Sequence, residues 1–247
     1  MDNKQKLNCI LLHGWGINRT IWGGLSSRLN SFDSIDNICL YTIAEEVKAS
    51  GVDALASYLK DRVKNNTVIV AWSFGGLVAT RLASFSNKIK AIVYIASPPC
   101  FINTPDWNNV LDTKSISELQ RNLLNNPKKT IEYFAGLVAH GDEDVKKTIK
   151  TIKPCLAEEK DRQVLSFWLK ELLEQDQRKI FSALNIPIQH LLAEHDALIS
   201  PEIINQLKQL RPQMECEVIK NSCHAPFVGR PQEIINSIDG FISARLK

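Results

Sequence analysis

A serine stands between a strand-like run and a helix-like run in the stretch VIVAWSFGGLVATRLA, which covers residues 68–83. The small residues Ala71 and Gly75 lie two positions before and two positions after this residue, Ser73. A serine hydroxyl attacks an ester only when a neighbouring base takes its proton. Ser73 is therefore either part of a plain tight turn or a nucleophile, and the nucleophile reading needs a base elsewhere in the chain.

Candidate partners for Ser73 follow later strand-like runs, Asp196 in AEHDALISP and His224 in KNSCHAPF. Ligands of open α/β sheets bind beyond the carboxyl ends of the strands, so these residues are expected to meet at one edge. Histidine titrates near neutral pH and can act as the base, while an aspartate fixes its tautomer. The order Ser73, Asp196, His224 is that of the α/β-hydrolase catalytic triad, and Ala71 replaces the first glycine of its G-x-S-x-G pattern.

The negative charge of a tetrahedral intermediate needs backbone N–H donors. We expect these donors to be Phe74, directly after the nucleophile, and Trp15, in the loop HGWG after the first strand. His13 in the same loop is expected to shape it rather than to act as the base.

Other polar residues compete for these roles. Glu194 is an alternative acid, and Cys223 is an alternative nucleophile, although it lacks the turn that Ser73 has. Of the remaining histidines, we expect His195 to be exposed in a loop and His190 to lie in the core or at a sheet edge. His140 is expected at the end of a helix. No pair of histidines has a convincing metal spacing.

Short apolar runs alternate with helical patterns, which predicts a doubly wound α/β architecture with a mostly parallel central sheet and helices on both faces. The predicted strands are Leu7–Leu12, Asn37–Ile43, Thr67–Trp72, Lys90–Ala96, Pro187–Ala193 and Glu215–Lys220. The predicted core helices are Gly51–Lys64, Gly75–Phe85, Pro201–Leu210 and Pro231–Arg245.

Residues 103–184 break this alternation and contain no good strand pattern. Four helices are predicted there, at Lys114–Asn125, Pro127–His140, Asp142–Lys153 and Lys160–Gln175, with Asp142 as an N-terminal cap. We interpret the segment as a four-helix lid inserted into a hydrolase core formed by residues 1–102 and 185–247.

Composition limits the other functional classes. The net charge of +3 is too small to favour nucleic acid, and no run approaches the roughly 20 apolar residues of a membrane helix. The six cysteines form no CxxC pair, and the start of the chain lacks a secretory signal, so a reducing cytoplasm is expected. No exposed apolar stripe stands out, and a monomer is expected.

Four motifs resemble one particular family. LLHGWGINRTIW, AWSFGG, IASPPCF and CHAPF are similar to motifs of the pimeloyl-acyl-carrier-protein methyl ester esterases of biotin synthesis. The resemblance runs from Leu7 to the C-terminus and implies an α/β-hydrolase fold. It also implies a serine carboxylesterase without a cofactor that acts on a methyl ester carried by acyl-carrier protein, and on small acyl esters.

The resemblance implies roles for matching positions. Ser73 corresponds to the nucleophile, Asp196 to the acid and His224 to the base. The substrate-binding positions that it implies are Trp15, Ser73, Phe74, His224 and the lid segment Phe134, Ala135, Gly136, Leu137 and Val138. Helical spacing places the larger side chains of that segment on one apolar face, which can contact substrate, pack the lid onto the core, or do both.

The family also holds the acidic carrier protein with basic lid residues. The matching positions are Lys129, Lys146 and Lys150, while Tyr133 occupies a fourth. An ordinary solvated helix face explains such lysines equally well. The loop after the second strand, LYTIAEEVKASGV, lacks the Pro-Gly pair usual in the family, which affects the expected substrate preference but not the triad.

Three hypotheses therefore remain at the level of the sequence. The first is a carboxylesterase of carrier-bound pimeloyl methyl ester. The second is a broader esterase or thioesterase without a role in biotin synthesis, and the third is a binding protein with an idle triad.

Overall fold

A parallel β-sheet forms the centre of the computed structural model, which describes residues 7–29, 35–41, 50–158 and 161–246. Its strands are β1 (Leu7–Leu12), β2 (Ile35–Tyr41), β3 (Thr67–Trp72), β4 (Ile89–Ile95), β5 (Ile188–Ala193) and β6 (Glu215–Ile219). All six predicted strands are present, each within two residues of its predicted start. The last two residues of the second predicted strand, and the loop that follows it, lie outside the described residues.

The strand order is β2-β1-β3-β4-β5-β6, and every recorded pairing is parallel. The chain leaves β1 toward one edge and returns to place β3 on its other side. The carboxyl ends of β1 and β3 therefore flank the point where the order reverses, which is where α/β sheets bind ligands. Every residue of β3 is buried, as expected for a strand covered on both faces.

Helices of the core cover the two faces of this sheet. They are α1 (Gly23–Leu29), α2 (Gly51–Lys60), α3 (Gly75–Phe85), α9 (Ile204–Leu210), α10 (Pro226–Gly229) and α11 (Pro231–Arg245). The predicted helix from Gly51 ends four residues early, because Asp61 is its C-cap and the chain then turns. Val63 is buried although it lies beyond the helix, so the helical spacing of apolar residues in the sequence extends past the end of α2.

Short turns of 3₁₀ helix extend two of these elements. Arg19–Trp22 leads directly into α1, and Pro201–Ile203 forms the first part of the predicted helix that continues as α9. The prediction missed α1, which begins with two glycines and so has low intrinsic helix propensity. Its stability comes from burial of Leu25 and Leu29 against the core.

The segment between β4 and β5 contains the four predicted helices of the lid. They are α4 (Thr113–Asn125), α5 (Pro127–Ala139), α6 (Val145–Ile152) and α7 (Arg162–Glu174). A fifth, short helix, α8 (Arg178–Ala183), follows and contacts α3 and α9 of the core. No described helix is long and apolar enough to cross a membrane.

The predicted cap of α6 was wrong by two residues. The side chain of Asp144, not that of Asp142, accepts a hydrogen bond from the backbone N–H of Lys147. Asp142 instead lies in the turn before the helix, where its Oδ1 accepts from the backbone N–H of Asp144. Its Oδ2 lies 3.3 Å from the Sγ of Cys223 in the core.

The turn between α5 and α6 attaches the lid to the core. Gly141 has φ +89°, and a Cβ there would lie 2.2 Å from the carbonyl oxygen of His195. Arg230 forms an ion pair with Glu143 in the same turn. Only glycine allows both this backbone conformation and this close approach.

The lid segment between α6 and α7 contacts the loop after β1. The backbone N–H of Asn18 donates to the carbonyl of Cys155 (2.8 Å), and Ala157 donates to that of Gly16 (2.9 Å). The lid therefore braces the HGWG loop through main-chain hydrogen bonds. These bonds do not depend on which side chains the loop carries.

Gly141→Ala should lower the free energy of unfolding by about 1–3 kcal/mol, because the added methyl group overlaps the backbone of His195. Gly240→Ala is the matched control, since a Cβ at this exposed position of α11 meets nothing within 4 Å. It should raise stability by about 0.5–1 kcal/mol. Urea unfolding measures both, and equal effects of the two substitutions would contradict the docked turn.

Candidate active site

Ser73 lies at the tip of a strained turn between β3 and α3. Its φ is +52°, in the left-handed region that non-glycine residues rarely adopt. The next positions must be small: a Cβ on Gly75 would lie 2.4 Å from the carbonyl oxygen of Leu12, and one on Gly76 would lie 1.8 Å from the Oγ of Ser97. These close approaches explain the spacing of small residues around Ser73.

Hydrogen bonds hold this turn against β4. The backbone N–H of Ser73 donates to Ile95 (3.0 Å), and the hydroxyl of Ser97 donates to the carbonyl of Ser73 (2.5 Å). Ser73 is therefore hydrogen-bonded through both its backbone N–H and its carbonyl oxygen. Such support allows an unfavourable conformation to persist.

Three distant side chains meet beyond the strand ends. The Oγ of Ser73 lies 3.0 Å from the Nε2 of His224, and the Nδ1 of His224 lies 2.8 Å from the Oδ2 of Asp196. The His224 side chain is 1% exposed and the Asp196 side chain is 0% exposed. Ser73 follows β3, Asp196 follows β5 and His224 follows β6.

The bonds around Asp196 determine how the imidazole is oriented. Its other oxygen, Oδ1, accepts from the backbone N–H groups of Leu198 (2.8 Å) and Ile199 (3.0 Å). A carboxylate can only accept, so the Nδ1 of neutral His224 carries the hydrogen. The Nε2 atom is then free to accept the hydroxyl proton of Ser73. This arrangement can activate a serine for attack on a carbonyl carbon.

The main chain of His224 is also fixed. The indole Nε1 of Trp72, the residue before Ser73, donates to the carbonyl of His224 at 2.8 Å. The nucleophile strand thus bonds directly to the loop that carries the imidazole.

The alternative residues occupy other environments. Glu194 accepts from Lys220 (2.7 Å) and from the backbone N–H of Asn221 (2.9 Å), and the bond from Lys220 is the main reason that its pKa is lowered. It therefore has its own partners, away from His224. His195 beside it is exposed.

The remaining histidines make no recorded contact with Ser73 among the described residues. His190 is fully buried in β5, where its Nε2 lies 3.3 Å from the backbone N of Ser97, and burial lowers its pKa to about 3. The Nδ1 of His13 lies 2.9 Å from the carbonyl of Gly14, and burial lowers its pKa as well. His140 is exposed at the end of α5.

Cys223 is buried, and its Sγ lies 3.3 Å from the Oδ2 of Asp142. Burial, with carboxylates nearby, raises the pKa of its thiol far above the usual value. A thiol is a poor nucleophile while it remains protonated. Cys223 is therefore unsuited to attack, although it precedes His224.

The backbone N–H groups of Trp15 and Phe74 have no recorded acceptor among the described residues. Trp15 follows β1, and Phe74 is the N-cap of α3. The two strands are neighbours in the sheet, so the loops that follow them lie side by side. A negative oxygen near Phe74 would also be favoured by the positive end of the α3 dipole.

A cleft with about 930 Å³ of empty space, its open mouth included, contains Ser73 and His224. Its other walls are mainly apolar side chains of the lid and of the loops after β4 and β5, among them Phe101, Leu119, Phe134, Leu172 and Leu198. Sequence reasoning missed most of these residues. The apolar spacing of Ile116, Leu119 and Leu123 in α4 was the available signal.

The lid segment 134–138 is divided between two environments. Phe134 and Leu137 line the cleft. Ala135 and Val138 are buried, and they do not line it; neither does Gly136, where an added Cβ would meet nothing within 4 Å. The geometry therefore offers two of the five predicted side chains to a ligand.

The three predicted docking lysines are exposed on the lid. Lys129 lies on α5, whereas Lys146 and Lys150 lie one turn apart on α6. Tyr133, 63% exposed, lies one turn after Lys129. None of these lysines has an ion-pair partner within the described ranges.

Metal chemistry has no evident site in the part of the chain that the structure describes. No group of three or more His, Cys, Asp or Glu residues there could hold a metal ion.

The fold of this chain is similar to that of known α/β hydrolases. A family model described as alpha/beta hydrolase fold matches residues 50–231. The bromoperoxidase of Bacillus anthracis superposes with a TM-score of 0.81 at 17% sequence identity, over 97% of this chain and 92% of that chain. The predicted fold class is confirmed.

Curated relatives cover nearly the whole chain. The pimeloyl-[acyl-carrier protein] methyl ester esterase of Aeromonas hydrophila is 29% identical over 96% of this chain and 96% of its own length. The enzyme of the same name from Cronobacter sakazakii is 29% identical over 94% of this chain and 92% of its own. The resemblance seen in four motifs is therefore confirmed along the chain, as is the prediction of an ester-hydrolysing enzyme of this fold.

A serine-directed fluorophosphonate should label the folded protein at Ser73 alone, because His224 can take the hydroxyl proton. Peptide mass mapping locates the label. Ser73→Ala should abolish labelling, whereas Cys223→Ala should retain it. Modification at Cys223, or no labelling of the folded wild-type protein, would contradict this assignment of the nucleophile.

Proposed function

The chain belongs to the alpha/beta hydrolase fold family, and we propose that it is a serine carboxylesterase that hydrolyses the methyl ester of pimeloyl-acyl-carrier protein in biotin-precursor synthesis. The observation that carries this proposal is the unbroken line of contacts from Ser73 through His224 to Asp196, at the base of an apolar cleft. The names of the relatives supply the substrate.

The reaction would begin when the Nε2 of His224 takes the hydroxyl proton of Ser73. The Oγ then attacks the ester carbonyl, and Asp196 stabilises the imidazolium that forms. When the tetrahedral intermediate collapses, His224 gives the proton to the leaving oxygen and methanol departs. Water, activated by the same imidazole, then hydrolyses the acyl-enzyme and frees Ser73.

The backbone N–H groups of Trp15 and Phe74 would bind the oxyanion. Loss of one such donor typically lowers kcat by about 10²- to 10³-fold. Because these donors belong to the main chain, they survive side-chain substitution. The close approach of Gly75 to the carbonyl of Leu12 keeps the two loops together.

The shape of the cleft suits a narrow aliphatic chain. Phe134, Leu137, Leu119 and Leu172 offer apolar surface beside Ser73. A pimeloyl chain has unbranched methylenes between its two carbonyl groups, so these walls can bury it without polar partners. In this mechanism the triad, the two backbone donors and a water molecule together hydrolyse the distal ester.

A groove on the lid continues the cleft toward solvent. It lies between α4 and α5 and shares Ser115, Leu119 and Tyr133 with the cleft. Its other described walls are mostly polar, including Asn122, Asn126 and Lys129. A polar arm that links an acyl chain to a carrier could occupy this groove while the ester end reaches Ser73.

Docking of an acidic carrier protein is supported by exposed lysines on the lid. Lys146 and Lys150 lie one turn apart on α6, Lys153 directly follows this helix, and Lys129 borders the groove. Complementary charge accelerates encounter and orients partners, and salt weakens it. Lysine binds as a point charge without the fork of arginine, so this docking tolerates variation in angle.

Ser73→Ala should lower kcat on methyl esters by about 10⁴-fold or more, and Asp196→Asn by about 10⁴-fold, since the triad acts as a unit. Hydrolysis of pimeloyl methyl ester on its carrier and as a free ester measures both. Circular dichroism should show an unchanged fold. A Ser73→Ala protein that retains wild-type turnover would exclude the mechanism.

Complementation separates the proposed role from that of a broader esterase. The wild-type protein should restore growth without biotin to a bacterium that lacks its own pimeloyl ester esterase, and Ser73→Ala should not. Turnover of simple esters together with failure to complement would favour the broader esterase. Absence of both would favour a binding protein.

Lys146→Glu/Lys150→Glu should lower kcat/KM for the carrier-bound ester by about tenfold or more at low salt, because the reversed charges repel the carrier. Turnover of the free methyl ester should be unchanged. The matched control is Lys90→Glu/Lys208→Glu, which changes net charge equally at exposed positions outside the lid. Equal turnover of the carrier-bound ester by both double variants would exclude docking on α6.

A further inference from the structure

A second cavity borders the HGWG loop and shares only Trp15 with the described lining of the catalytic cleft. It holds about 1050 Å³ of empty space, its open mouth included, and its described lining is mainly apolar. Leu55 and Leu59 of α2, Val78 of α3, and Val164 and Trp168 of α7 form much of its wall. Neither Ser73 nor His224 lines it, so the triad does not use this cavity.

One described residue, Trp15, lines both the cleft and the second cavity. Helix α7 contributes to each space with a different face: Leu165 and Trp168 line the second cavity, whereas Leu169 and Leu172 line the cleft. The partition between the two spaces therefore includes helix α7 and Trp15. Phe74, which follows Ser73, lines the second cavity and meets Trp168 edge to face, with ring centroids 5.5 Å apart.

The Trp15 ring is held in place by two elements of the lid. Its Nε1 donates to the carbonyl of Leu165 on α7 at 2.8 Å. Its ring meets that of Phe134 on α5 edge to face, with centroids 4.8 Å apart. The side chain is nearly fully buried. The partition is thus a fixed wall.

The chemistry of ester cleavage places the acyl group beside this wall. His224 must protonate the leaving oxygen, so the alcohol lies on the His224 side of Ser73. The carbonyl oxygen binds the N–H of Trp15, so the acyl chain leaves the reacting carbon past Trp15 and Phe134. From there one direction follows the cleft toward the lid surface, and the other leads past Trp15 toward the second cavity.

We propose that Trp15 is a specificity-determining residue that closes the second cavity and so directs acyl chains outward, toward the lid surface. This inference rests on the proposed function. An outward path suits an acyl chain whose far end is attached to a carrier. An open second cavity would instead accept the uncharged alkyl end of a free, longer acyl ester.

Trp15→Leu should open the partition while keeping the backbone N–H of residue 15. We expect the ratio of kcat/KM for methyl decanoate to that for methyl butanoate to rise by about tenfold or more. Burial of two additional methylenes corresponds to about that factor. Trp15→Phe, which keeps an aromatic contact with Phe134, should raise the ratio by less, and it serves if Trp15→Leu does not fold.

Refilling the cavity tests whether it holds the chain. Val164→Trp in the Trp15→Leu background should return the ratio to the wild-type value, because Val164 lines the second cavity and not the cleft. Gln163→Trp is the matched control: the neighbouring position on α7 is exposed and lines neither space, so the gain should persist. Val164→Trp alone should leave the wild-type ratio unchanged.

Two outcomes would overturn the inference. The ratio could stay at its wild-type value in folded Trp15 variants, or the gain could survive Val164→Trp. Failure of the proposed function is a different result, in which the wild-type protein shows no Ser73-dependent hydrolysis of methyl butanoate. Hydrolysis with an unchanged ratio would remove only the inference about Trp15.

Discussion

The left-handed backbone of Ser73 is the constraint on which the rest of the site depends. It turns the chain from β3 into α3 within a few residues and leaves the hydroxyl pointing away from both elements, toward the Nε2 of His224. The turn is possible only because Gly75 and Gly76 let the helix approach Leu12 and Ser97. Those same contacts keep the loop after β1 beside the loop after β3, where both oxyanion donors of the proposed mechanism lie.

The lid adds apolar side chains to the polar residues that the sheet brings together. The sheet brings Ser73, Asp196 and His224 together at its carboxyl edge, and the loops after β4 and β5 add part of the apolar surface, including Phe101 and Leu198. Helices α4, α5 and α7 supply the rest of that surface. The contacts that attach the lid to the core include the turn at Gly141, against the loop that carries Asp196, and the main-chain bonds to Gly16 and Asn18. These backbone contacts therefore fix the apolar side chains of the lid relative to Ser73, Asp196 and His224.

Much of this arrangement was predictable from local sequence. Ser73, Asp196 and His224 each follow an apolar run, and parallel strands bring such positions to one edge whatever the intervening chain does. Helix α1 was missed because paired glycines have low helix propensity and only burial of Leu25 and Leu29 reveals the element. The cap of α6 was misplaced because Asp142 and Asp144 are equally good caps locally, and the contact with Cys223 that distinguishes them is distant in sequence. The two-sided role of Trp15 depends on helices far along the chain, and no local pattern encodes it.

The bonds from Cys155 and Ala157 to the HGWG loop also bear on how the protein forms. They join the lid segment between α6 and α7 to a segment near the start of the chain, so a long loop must close before they form. Long loops close slowly because bringing their ends together costs more entropy. Asp196 and His224 come later still in synthesis. In the proposed mechanism, a growing chain on the ribosome therefore carries Ser73 long before it can form the triad. The triad forms only when the last quarter of the polypeptide has folded back onto the earlier part of the chain.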